Sequence, residues 1–138
     1  MGMRIFLDAN ILFAAAKSAG AVRALLGLLE AAGHTLCADD YVLAEARRNL
    51  EVKGTDAMGS LDTLLAGIDV ARFRRDELDP QLAALLPEQD RPVLAAAIRL
   101  GCGALVTGDR IHFGRLYGRD VRGVSIHSPR SLYETLIR

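Results

Sequence analysis

The feature that most constrains the fold is an alternation of short apolar runs with longer stretches of helical periodicity. Strand-like runs that are separated by helices favour a parallel sheet covered by helices on both faces. The predicted strands are residues 4–7, 35–38, 68–73, 104–107 and 123–126. The predicted helices are residues 11–16, 21–32, 56–67, 78–86, 91–100 and 128–137, together with one that begins at Asp39 or Asp40 and continues to about residue 50.

Size and composition favour one compact domain that spans residues 1–138, with 51% hydrophobic residues. A mean hydropathy of +0.20 argues against disorder. No apolar run approaches the roughly 20 residues of a membrane-spanning helix, and Asp8 comes too early for a signal peptide. We therefore expect a cytoplasmic protein without membrane association. Cys37 and Cys102 lie beside apolar residues and are expected to be buried thiols.

Charge is balanced overall, with 17 basic and 17 acidic residues, but its distribution is uneven. Residues 91–138 contain eight arginines and three acids, a net charge of +5. Arginine is well suited to bidentate contact with phosphate. A compositional preference for arginine explains the pattern equally well, so both interpretations stay open at this point.

Four acids are expected to meet at one edge of the predicted sheet. Asp8 follows the first predicted strand, and Asp109 follows the fourth. Glu45 and Asp90 lie in or before helices that begin at the same rim. Ligands bind beyond the carboxyl ends of parallel strands, where the strand order reverses. Converging carboxylates repel one another, and divalent Mg²⁺ or Mn²⁺ relieves that repulsion.

Each acid also has an ordinary structural explanation. Asp8 and Asp90 could cap the helices that follow them. Glu45 could face solvent, and Asp109 could be a turn residue after Gly108. The combined arrangement is harder to explain in this way.

Four segments carry a family resemblance. They are Phe6-Leu7-Asp8-Ala9-Asn10-Ile11-Leu12, Val42-Leu43-Ala44-Glu45-Ala46, Asp90-Arg91-Pro92-Val93-Leu94-Ala95-Ala96-Ala97 and Leu105-Val106-Thr107-Gly108-Asp109. In this order they resemble the acidic motifs of the PIN-domain family over nearly the whole chain. The resemblance implies a three-layer α/β/α fold with a central parallel sheet of about five strands.

The same resemblance implies a metal-dependent endoribonuclease that acts on RNA, and frequent formation of homodimers. Short bacterial members are often toxins of type II toxin–antitoxin systems, silenced by a small antitoxin protein. Carried over by position, the metal ligands and catalytic residues would be Asp8, Glu45, Asp90 and Asp109.

Other positions receive supporting roles. Asn10 and Thr107 would orient waters or carboxylates around the metal. Arg91, Arg110 and Arg115 flank two acidic motifs and are candidates for contact with substrate phosphates. His112 stands where many relatives carry a further acid. It could replace that acid or contact substrate, but a single histidine in a loop is more commonly an ordinary surface residue, and we adopt that interpretation.

Three alternatives remain beside a nuclease toxin. The first is a PIN-fold module that binds RNA or protein without cleavage, and the second is a PIN nuclease of RNA processing that is not a toxin. The third, a phosphatase with aspartate after the first strand, fits poorly because Asn10 occupies the position of the expected second aspartate.

Overall fold

The computed structural model describes residues 2–75 and 77–137. Its strands are β1 (Arg4–Leu7), β2 (Thr35–Asp39), β3 (Asp69–Ala71), β4 (Ala104–Val106), β5 (Asp120–Val121) and β6 (Val124–His127). Its helices are α1 (Ala9–Lys17), α2 (Ala21–Ala31), α3 (Asp40–Lys53), α4 (Met58–Leu65), α5 (Pro80–Ala83), α6 (Arg91–Arg99), α7 (Arg110–Phe113) and α8 (Pro129–Leu136).

The sheet has the order β3-β2-β1-β4-β6-β5. All pairs are parallel except β5 with β6, which form an antiparallel hairpin at one edge. The chain runs from β1 to β2 and β3 on one side, and β4 then returns to the other side of β1. The strand order therefore reverses between β1 and β4, which places a crevice beyond the carboxyl ends of these two strands.

The central strands are buried on both faces. Ile5, Phe6 and Leu7 are fully buried although successive residues of a strand point to opposite faces. The apolar core is one cluster that extends from Ile5 to Leu132. Helices therefore cover both faces of the sheet, as the alternating pattern predicts, and the α/β fold class is confirmed.

Several local predictions were wrong. The segment 78–86 forms only the single turn of α5, because Pro80 can only begin a helix and Pro87 disfavours helical backbone at the residue before it. The helix α7, with four residues, and the strand β5, with two, were not predicted, because each covers only about one period of its hydrophobic pattern. The first helix begins at Ala9 rather than residue 11, because Asp8 caps it.

Two further features concern the core and the membrane. Cys37 and Cys102 are buried and free, as expected.

Among the described residues no single helix is long and apolar enough to cross a membrane. The helices α1 and α2 reach the required length and composition only when they are taken together, and they are bent by 107° relative to each other.

Candidate active site

The neighbouring strands β1 and β4 bring Asp8 and Thr107 together. Leu7 pairs with Val106, so the residue after each strand emerges at the same level of the sheet. The backbone N–H of Asp8 donates to the carbonyl of Val106 at 3.1 Å and extends the pairing by one residue. Both Asp8 and Thr107 are buried, so their side chains need polar partners within the protein.

The two carboxylate oxygens of Asp8 have different partners. Oδ1 accepts the backbone N–H of Ala9 at 2.8 Å and caps α1. Oδ2 accepts a hydrogen bond from the Thr107 hydroxyl at 2.7 Å and one from the Asn10 amide at 3.3 Å. Asp8 is therefore a helix cap and, through its other oxygen, part of a network that crosses to β4.

That network also fixes the loop that carries Asp109. Oδ1 of Asn10 accepts the backbone N–H of Gly108 at 2.7 Å, and Oγ1 of Thr107 accepts that of Asp109 at 3.1 Å. A Cβ atom at position 108 would lie 3.3 Å from Oδ1 of Asn10, a tight contact that glycine avoids. Asn10 and Thr107 thus set the position of Asp109 relative to Asp8.

Asp109 and His112 lie on the same helical turn. Oδ1 of Asp109 accepts the backbone N–H of His112 at 3.0 Å and caps α7. Its Oδ2 lies 2.8 Å from Nδ1 of His112, which is also 2.7 Å from Oδ2 of Asp90. Interpreting His112 as an ordinary surface residue was therefore wrong, because a helix that was not predicted turns its ring towards two acids.

The carboxylate of Asp90 lies beside His112 and does not cap the helix α6. It stands at the start of α6 but makes no side-chain capping hydrogen bond. Burial raises the pKa of Asp90; His112 opposes that rise, and the charges of Asp109 and Asp8 add to it. The capping explanation for Asp90 is therefore wrong.

The charge of Glu45 also acts on this crevice. Glu45 lies half-buried within α3. Burial raises the pKa of Asp8; the hydrogen bonds from Thr107 and Ala9 oppose the rise, and the charges of Glu45 and Asp109 add to it. Asp8 thus lies within electrostatic reach of each of the other three acids predicted from the sequence.

The donor set suits a divalent cation. Among the described residues, Asp90, Asp109 and His112 each offer one ligand atom, and these atoms lie within 4.8 Å of one another. Oδ2 of Asp90 and Nδ1 of His112 are buried and have no hydrogen-bond partner with acceptable geometry. Buried polar atoms that are left in this state are costly, and a shared cation would satisfy them.

The three candidate arginines differ in their surroundings. Nε of Arg91 donates to the carbonyls of Ala83 and Leu86, at 2.8 and 3.1 Å. The Arg91 guanidinium therefore holds the loop before α6 in place. Arg110 and Arg115 are exposed. Arg115 and His112 both line a cavity of about 320 Å³.

Two tyrosines at the site were not identified from the sequence. The hydroxyl of Tyr117 donates to the carbonyl of Thr107 at 2.8 Å, and that of Tyr41 donates to the carbonyl of Gln89 at 2.6 Å. Burial and nearby carboxylates raise the pKa of both side chains. Tyr41 precedes Glu45 by four residues and so shares its helix face, whereas no sequence pattern marks Tyr117.

Comparisons with known proteins identify the family and a similar fold. A family model described as the PIN domain matches residues 4–111. No curated protein gives a significant match to the sequence. Among solved structures, a chain in the crystal structure of VapBC2 from Rickettsia felis, bound to a DNA fragment from their promoter, is similar with a TM-score of 0.68.

That likeness covers 91% of this chain and 98% of the other, at 22% sequence identity, and therefore concerns the fold. The family match covers most of the chain, including Asp8, Glu45, Asp90 and Asp109. The chain belongs to the PIN-domain family.

Proposed function

We propose that this protein is an endoribonuclease that hydrolyses RNA phosphodiester bonds with Mg²⁺ or Mn²⁺ held by four carboxylates. These are Asp8, Glu45, Asp90 and Asp109. The observation that carries the proposal is the burial of Asp8 near other acids at the reversal point of the sheet, where burial and the charges of Glu45 and Asp109 raise its pKa. Such an arrangement is electrostatically unfavourable without a cation.

The residues around the acids have distinct tasks. Thr107 and Asn10 hold one oxygen of Asp8 and so fix the direction of its remaining lone pairs. A divalent ion bound there would supply activation of water and neutralisation of charge on the phosphodiester. Arg110 follows Asp109 directly, Arg115 lines a cavity with His112, and both are exposed. They would contact substrate phosphates, which makes RNA binding salt-dependent.

Cleavage of a mixed RNA pool tests the proposal. We expect cleavage by the wild type with Mn²⁺ or Mg²⁺ and none with EDTA. The Asp8→Asn and Asp109→Ala variants should lose cleavage. Asp69→Asn is the matched control, because Asp69 forms an ion pair with Arg4 at the amino ends of β3 and β1, the opposite end of the strands from the acids. Cleavage by Asp8→Asn at the wild-type rate would contradict the proposal, and RNA binding without cleavage would favour a binding module.

We further propose that the protein acts in the cytoplasm as the toxin of a type II toxin–antitoxin system. The fold likeness to VapBC2 from Rickettsia felis supports this role. Expression should then arrest growth, Asp90→Asn should relieve the arrest, and a neighbouring reading frame should encode a small antitoxin. Cleavage without growth arrest would instead indicate a nuclease of RNA processing. Light scattering would test the expected homodimer.

A further inference from the structure

The ring of His112 lies between two carboxylates in a way that hydrogen bonding alone does not explain. Nδ1 is 2.7 Å from Oδ2 of Asp90 and 2.8 Å from Oδ2 of Asp109. One ring nitrogen carries at most one hydrogen and cannot donate fully to both oxygens. Among the described residues, Nδ1 has no hydrogen-bond partner of acceptable geometry, and neither has Oδ2 of Asp90.

Local structure holds this arrangement in place. The N–H of His112 donates to Oδ1 of Asp109, so the same turn of α7 delivers the histidine nitrogen and leaves the second aspartate oxygen beside it. Asp90 arrives from α6 and makes no capping hydrogen bond. The three ligand atoms lie within 4.8 Å of one another, which suits shared binding of one cation.

The chemical type of the donors bears on which cation binds. Mg²⁺ is bound through oxygen ligands and retained waters, whereas imidazole nitrogen suits transition metals. A site made only of carboxylates would accept Mg²⁺ readily. Replacing one oxygen donor by nitrogen shifts the preference towards an ion that accepts both donor types, such as Mn²⁺.

We propose that His112 binds the metal through Nδ1, together with Asp90 and Asp109, and that this mixed nitrogen and oxygen site prefers Mn²⁺ to Mg²⁺. The inference rests on the proposed metal site and adds to it a ligand and a choice of ion.

Pulsed electron paramagnetic resonance of the Mn²⁺-loaded full chain tests the ligand directly, because imidazole ¹⁴N modulates the Mn²⁺ signal. We expect nitrogen modulation in the wild type and its loss in His112→Asp. His34→Gln is the matched control and should keep it. His34 precedes β2, at the amino ends of the strands, and its Nδ1 accepts the backbone N–H of Met3.

Competition between Mg²⁺ and bound Mn²⁺ tests the preference. Loss of a group that merely supports a metal ligand costs about 10- to 100-fold in affinity, so removal of a ligand should cost at least as much. We expect the affinity for Mn²⁺ to fall at least about tenfold in His112→Asn. In His112→Asp, where an oxygen donor replaces the nitrogen, the preference for Mn²⁺ over Mg²⁺ should fall. His112→Asn adds no acid and serves as a second variant if His112→Asp does not fold, as judged by circular dichroism.

The outcomes separate this inference from the proposed function. Mn²⁺-dependent RNA cleavage without nitrogen modulation would overturn the role of His112 and leave the nuclease proposal standing. An unchanged preference in both variants would also overturn it. Nitrogen modulation without any RNA cleavage would support the ligand and overturn the nuclease. Failure of the wild type to bind Mn²⁺ would overturn the role of His112, and failure to bind Mg²⁺ as well would overturn both.

Discussion

The hydroxyl of Thr107 connects the acids of the crevice through three hydrogen bonds. Its hydroxyl donates to Oδ2 of Asp8 at 2.7 Å and accepts from the backbone N–H of Asp109 at 3.1 Å. It also accepts from the Asn10 amide at 3.3 Å. One fully buried side chain therefore sets the distance between the acids that follow β1 and β4.

Thr107→Val preserves shape and removes this hydroxyl. The variant leaves Oδ2 of Asp8 with only the longer hydrogen bond from Asn10 and removes the acceptor of the Asp109 backbone N–H, so the free energy of unfolding should fall by about 1–3 kcal/mol. RNA cleavage should fall by about 10- to 100-fold because the carboxylates lose their orientation. Urea unfolding and cleavage rates measure the two effects. Thr63→Val, at an exposed threonine of α4, should change neither, and equal effects at both positions would contradict the argument.

The burial of His127 should make the free energy of unfolding depend on pH, independently of the acids in the crevice. It is buried, its Nδ1 lies 2.9 Å from Oγ of Ser131, and burial lowers its pKa below the usual 6.5. The unfolded chain binds a proton at the ordinary pKa, whereas the folded chain binds it only at lower pH. Protonation therefore favours unfolding, and the free energy of unfolding should fall as the pH drops below about 6.5.

Thermal melting between pH 7.5 and pH 5.5 measures this loss. His127→Asn cannot titrate in this range, so its melting temperature should fall less over the same interval. A wild type and a variant with parallel pH profiles would show that His127 contributes nothing to the dependence.

Sequence patterns located the acids but not their companions. Asp8 and Asp109 were found because each follows an apolar strand, and Asp90 because Pro92 marks the start of a helix. The roles of His112 and Tyr117 depend on the path of a loop that contains a four-residue helix, and local propensity does not determine such a path.

At the scale of elements, α3 shows how a cap and a site share one helix. Oδ1 of Asp39 accepts the backbone N–H of Val42 at 3.1 Å and caps the helix that carries Glu45. Its Oδ2 is buried without a hydrogen-bond partner among the described residues. Burial raises the pKa of Asp39, although the charge of Arg99 opposes this. The hydrogen bond from Val42 to Asp39 therefore stabilises the helix α3, whereas the buried negative charge of Asp39 destabilises the folded protein.

Two substitutions separate the cap from the charge. Asp39→Ala removes the acceptor and should lower the free energy of unfolding by about 0.5–2 kcal/mol. Asp39→Asn keeps an acceptor and removes the buried charge, so it should raise the free energy of unfolding at pH 7. The gain should shrink towards pH 3, where the wild-type carboxyl is protonated in both states. Chemical denaturation at both pH values checks this, and a loss of stability in Asp39→Asn at pH 7 would refute it.

Elements were predictable in proportion to their burial and length. The parallel strands β1, β2, β4 and β6 and the helix α6 follow continuous apolar patterns. The hairpin between β5 and β6 does not, because its geometry depends on backbone turns at Arg122 and Gly123, which have φ values of 54° and 85°. Only Gly123 is a typical residue for that conformation, so the turn was not recognised.

At the scale of the whole molecule, the topology determines where charge accumulates. The reversal between β1 and β4 gathers acids that are up to 101 positions apart in the sequence, from Asp8 to Asp109. The alternation of strands and helices predicts this edge. It does not predict which side chains at the edge are unpartnered, since that depends on packing between α6 and α7. The fold thus creates a local excess of negative charge in a chain whose net charge is zero.

This excess predicts that a divalent cation stabilises the whole fold. An ion at 100 times its dissociation constant adds about 2.7 kcal/mol, which for a domain of this size corresponds to a rise of about 10 °C in melting temperature. We expect Mn²⁺ to produce such a rise in the wild type and EDTA to reverse it. Asp109→Asn should reduce the rise, because it removes a ligand and part of the repulsion that the ion relieves. Asp69→Asn, at the amino ends of the strands, should retain it. Equal rises in the two variants would mean that Mn²⁺ binds elsewhere on the molecule.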